Sequence, residues 1–123
     1  MEKKIMKICE LCEGYKYQGP RFKYLGPFSG EEFREKYLLP WLDTLGIQEE
    51  SIIDFTGTEV YSPSFLEGSF GGTIRLAKTK EEAEINRKKL QQVNFINMDP
   101  DWKVKLEGYI KNAKHNPKNN DVK

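Results

Sequence analysis

Long apolar runs are missing from this chain. None of its 123 residues fall in an uninterrupted hydrophobic stretch of about 18, the length needed to cross a bilayer as a helix. A surplus of one charge is missing too: twenty Lys and Arg against nineteen Asp and Glu leave a net charge of +1. That balance creates no long-range field to draw the protein onto nucleic acid or an anionic membrane, and neither partner is expected. The opening residues MEKKIMK lack the apolar segment of a secretory signal, so a cytoplasmic location is the expectation.

Histidine is scarce, with His115 standing alone in a polar stretch, and there is no Gly-x-Ser-x-Gly elbow. For catalysis with Ser64 as nucleophile or Asp54 as base the materials are thin, since a serine needs an adjacent base, so a non-enzymatic role is expected. No Gly-x-x-x-x-Gly-Lys phosphate loop occurs either. Cysteine stops at two residues, Cys9 and Cys12. A zinc site needs two further ligands, and a redox pair needs a helix opening at the first thiol. KIMKICEL reads instead as a strand, which turns residues three apart to opposite faces. Ordinary thiols and no metal or cofactor are the reading.

What is present is a regular alternation of elements. Lys4 to Leu11 forms a first strand near a sheet edge, and residues 14–30, with two Gly-Pro pairs and many aromatics, form a structured loop or irregular hairpin. Ser29 and Glu32 make a capping box for a helix carrying Phe33, Tyr37, Leu38, Trp41, Leu42 and Leu45 on one face, with Gly46 as its stop and a kink or a break near Leu39 imposed by Pro40. Ser51 to Thr56 reads as a strand covered on both faces. Within it Asp54 is held by local backbone beside the Thr56-Gly57 turn, or belongs to a site.

A second helix begins near Ser62 or Ser64, with Ser64 and Glu67 as a second capping box, and its glycines, Gly68, Gly71 and Gly72, call for close packing. Thr79 and Glu82 open a solvated, charge-graded helix. Residues 90–98 supply a strand, and Asp99 with Pro100 opens a last helix lined by Trp102, Leu106, Tyr109, Ile110 and Ala113. The result is one α/β domain over residues 1–115, a mixed or parallel sheet of about four strands flanked by helices, followed by a mobile tail at 116–123.

The strand-to-helix joint IIDFTGTEVYSPSFLEGSFGG is where function concentrates. Ser62, Pro63, Ser64, Phe65 and Glu67 place a helix N-terminus, rich in unpaired N–H groups, at the end of a strand. If the strands run parallel, the Ser29–Gly30 helix end opens on the same sheet edge, and with Arg21 and Lys23 it offers an alternative site for a small anion or nucleotide. The bland reading of Arg21 is a surface ion pair with Glu31 or Glu32.

GPFSGEEFREKYLLPWL followed by that joint resembles the STAS-like domains of unknown function, DUF4325, over residues 5–110. The resemblance implies the fold of bacterial anti-sigma-factor antagonists and a regulatory, protein-binding role. It also implies a histidine-kinase-like ATPase as partner and kinase, acting on a serine at this elbow. Here Ser62 stands where those antagonists carry an acidic residue and Pro63 falls at the usual acceptor, which leaves Ser64 or Ser62 as the hydroxyls available.

Overall fold

The computed structural model describes residues 4–46 and 49–118. Three parallel strands, β1 (Lys4–Lys7), β2 (Ser51–Asp54) and β3 (Val93–Ile96), pair in the order β1-β2-β3. The sheet has three strands where about four were expected. The Gly-Pro loop contributes only one parallel bridge, Tyr17 to Val60, because its backbone turns into short 3-10 helices at Glu13–Lys16 and Lys23–Leu25.

The register aligns Met6, Ile53 and Phe95 in one buried row, with Ser51 and Val93 beside them. On the opposite face Ile5 and Asn94 of the outer strands are exposed, while Ile52 and Asp54 of β2 are half-buried, so the central strand is fully covered on one face and partly covered on the other. Two crossovers that step the same way across a parallel sheet, each with the usual right hand, deliver their helices to the same side.

Helix 30–43 starts at Ser29, whose Oγ accepts the Glu32 N–H at 3.0 Å. Pro40 does not break it. Residues Arg34–Leu38 form a π turn in which the Leu39 N–H reaches back to Arg34 O. This wider ring admits the pyrrolidine, which in a regular helix would strike the preceding turn.

Helix 63–75 contains a second π turn at Glu67–Gly71 and is buried along almost its whole length. Its small residues explain this: it lies against the sheet between helix 30–43 and the last helix, Pro100–Asn112. A Cβ on Gly72 would sit 2.6 Å from Arg34 Nη1, so the predicted close packing is what the glycine serves.

The helix Lys80–Gln92, capped by Thr79, is not the solvated extension its charges imply. Ala83, Asn86 and Leu90 are buried, and polar side chains do the anchoring. Asn86 donates to Thr73 O, Lys89 to Leu42 O, and Arg87 to the carbonyls of Ile110, Lys111 and Ala113. Asp99 caps the last helix as expected. His115 lies 2.8 Å from Ala77 O and the Asn116 N–H reaches Arg75 O, while residues 119–123 of the expected tail lie outside the described residues. Among the described residues no helix is long and apolar enough to cross a membrane.

Candidate functional site

All three strands point the same way, so the elbow after β2 and the Ser29 helix end lie on the carboxyl edge of the sheet. Their chemistry differs. At the Ser29 end, Ser29 is fully buried, the Gly30 N–H donates to Pro20 O, the Glu31 N–H to Arg21 O, and the Glu32 N–H to Ser29 Oγ. Gly30 also packs directly on the next helix, since a Cβ there would meet Phe65 O at 2.5 Å. The donors that would hold an anion are spent within the protein.

The two cations assigned to that alternative site are also paired. Lys23 Nζ binds Glu35 at 2.7 Å, and its backbone N–H donates to Glu31. Arg21 does not pair with Glu31 or Glu32; its guanidinium binds Glu67, forty-six residues away. Glu67 also accepts from Arg75 at 2.5 and 3.1 Å. Burial raises the Glu67 pKa, but the hydrogen bonds and charges of Arg75 and Arg21 outweigh it and hold the carboxyl below its usual value. The Ser64–Glu67 capping box is therefore not formed.

The N-cap is Ser62. Its Oγ accepts the Phe65 N–H at 3.2 Å, its carbonyl accepts the Leu66 N–H, and Pro63 occupies the first helical position, where a missing N–H costs nothing. The Ser62 N–H donates to Gln18 Oε1 at 2.9 Å. Gln18 is 6% exposed and its own N–H is bonded to Val60 O, so the elbow is clamped from the preceding loop. Ser64 is different: it is half-exposed, and among the described residues neither its hydroxyl nor its N–H has a partner. Pro63 beside it is exposed, as are Val60 (50%) and Tyr17 (53%). Phe65 points inward and is fully buried, stacked on Phe33.

Asp54 takes the local role. It accepts from the Thr56 N–H, the Thr56 hydroxyl and Asn97 Nδ2. Burial raises its pKa, and the Thr56 and Asn97 hydrogen bonds more than reverse this. Gly57 holds the turn at φ +95° and packs on Cys9.

Three contributors had little sequence signal. Gln18 sits in an irregular loop with no periodicity to mark it. Arg34, 8% exposed, donates to Gly68 O at 2.7 Å and joins the two π turns; its charge gave no hint of burial. The desolvation lowers its pKa. Tyr15, also unmarked, is buried among Phe28, Phe33, Tyr37 and Phe65 with its hydroxyl donating to Glu32, and burial first, then that carboxylate, raise its pKa.

No curated protein and no solved structure matches this chain. A scan of protein families matches residues 29–102 to the STAS-like domain of unknown function, DUF4325. The matched span runs from the Ser29 cap through the clamped elbow to Trp102, and the chain belongs to that family.

Proposed function

We propose that this domain is a non-enzymatic regulatory module that docks a protein partner over the Ser62–Pro63–Ser64 elbow and is switched by phosphorylation of Ser64. The single observation that carries the reading is the contrast between the two serines. Ser62 Oγ accepts the Phe65 N–H that caps the helix, whereas the half-exposed Ser64 hydroxyl is unengaged. A phosphate on Ser64 would add about −1.5 to −2 charge in the first turn of helix 63–75, where the helix end favours it locally. The same charge, beside the exposed Pro63, Val60 and Tyr17, opposes a partner that must cover those apolar groups. Modification would thus release the partner.

A histidine-kinase-like ATPase of the same cell is the partner and kinase in this reading, in keeping with the family's likeness to anti-sigma-factor antagonists. The test is incubation of the full chain with that ATPase and ATP, read by intact mass and by complex formation. One phosphate is expected, lost in Ser64→Ala and retained in Ser62→Ala, and Ser64→Asp should weaken the complex more than Ser64→Ala. Neither adduct nor complex, or an adduct mapped to Ser62, would overturn the assignment.

A further inference from the structure

The strand carrying the cysteines ends at Lys7, and Ile8–Leu11 is a single helical turn with Cys9 inside it and Cys12 as its C-cap. The reason for setting the pair aside, opposite faces of a strand, is therefore removed. Residues i and i+3 of a helical turn have Cα atoms about 5 Å apart, from its rise and radius. That lies inside the window of about 4.4 to 6.8 Å in which a disulfide closes. Cys12 has already left helical geometry, at φ −162° and ψ 127°, so the turn's hydrogen bonds do not fix its side-chain direction. Both thiols are free and half-buried.

Each cysteine is also wired to the elbow. Thr58 spends its hydroxyl proton on Phe55 O at 2.7 Å, so at 3.6 Å it is the Cys9 thiol that donates to Thr58 Oγ1. Thr58 lies in the loop that leads from β2 to Ser62. On the other side, Cys12 O accepts the Tyr15 N–H, Lys16 O accepts the N–H groups of Glu59 and Val60, and Gln18 Oε1 accepts that of Ser62. Five residues thus separate Cys12 from Gln18, the group that clamps the elbow.

We propose that Cys9 and Cys12 form a thiol–disulfide switch whose state is transmitted to the Ser62 elbow. Its co-reactant is a low-molecular-weight disulfide. One cysteine thiolate attacks a sulfur of that molecule, forming a mixed disulfide and expelling one small thiolate. The second cysteine thiolate then attacks the protein sulfur, forming the Cys9–Cys12 bond and expelling the other. The protein loses two electrons and two protons, and the small disulfide becomes two thiols. Closure removes the thiol proton that Cys9 gives Thr58, loosening one support of the loop, and tightens the Cys12 end of the other.

The effect on a docked partner rests on the reading of Ser64 above, but the switch itself is tested without any partner. The reduced full chain is treated with excess oxidised glutathione and followed by intact mass, thiol alkylation and amide hydrogen exchange. The wild type should become two hydrogen atoms lighter, keep no glutathione and lose both alkylatable thiols. Cys12→Ser and Cys9→Ser should each retain one glutathione. Exchange at the Ser62 and Phe65 amides should differ at least threefold between the two forms. Two thiols still alkylatable, or glutathione persisting on the wild type, would overturn the pair. A closed disulfide with unchanged exchange at the elbow would overturn the switch.

Discussion

Glu67→Gln isolates the charge that ties helix 63–75 to its surroundings while preserving side-chain shape. Exposed ion pairs contribute about 0–1 kcal/mol, whereas stripping one partner from a fully buried pair costs about 3–5 kcal/mol. Glu67 lies between these limits, with 23% of its side chain exposed against 20% for Arg75 and 32% for Arg21, and it serves two guanidiniums at once. A loss of about 2 kcal/mol follows, which at about 4 °C per kcal/mol for a domain of this size lowers the Tm by about 8 °C. The pH dependence supplies the sharper check. Because the folded carboxyl titrates below its ordinary value of 4.5, its contribution is fully present above that value and is lost as pH falls through the folded pKa. Urea titrations of both proteins from pH 7 downward should therefore show a gap in unfolding free energy that is constant at neutral pH and closes in acid. A gap under about 0.5 kcal/mol at pH 7, or one that persists unchanged in acid, would refute the argument.

Two other substitutions probe the architecture. Ser62→Ala should cost about 1 kcal/mol through loss of the cap, while Ser64→Ala should change stability by less than about 0.5 kcal/mol; chemical denaturation that reversed the order would reassign the N-cap. Gly30→Ala should cost about 2–3 kcal/mol despite alanine's higher helix propensity, because the new methyl meets the Phe65 backbone at 2.5 and 3.1 Å. A melting temperature at or above that of the parent would show that the two helices can separate there.

Caps were the most legible part of the chain, because an N-cap is decided by neighbours two or three residues away. Ser29, Thr79 and Asp99 each bond the N–H that their spacing predicts. Ser64 and Glu67 had the same spacing and failed, since Arg21 and Arg75 claim the carboxylate from across the fold. Hydrophobic periodicity marked the buried faces of helices 30–43 and 100–112. It misjudged the helix Lys80–Gln92, whose attachment runs through Asn86, Arg87 and Lys89 to carbonyls that no local pattern reveals. The strand at the start was read too long because apolar alternation continues through Ile8 and Leu11 after the backbone has turned helical. At the elbow, the Ser-Pro-Ser signature was plain, but the Gln18 side chain that holds the Ser62 N–H reaches it across forty-four residues and left no local trace.

Helix 63–75, enclosed along almost its whole length, begins at an exposed proline. Pro63 stands in solvent, yet Phe65 and Leu66 directly after it, and Ser69, Phe70 and Ile74 further along, have no measurable surface left. The partner proposed above would therefore seize a shaft rather than a flap: the contact surface would arrive already ordered, with little chain entropy lost on association, and a displacement at the tip would be felt by the elements packed along the helix.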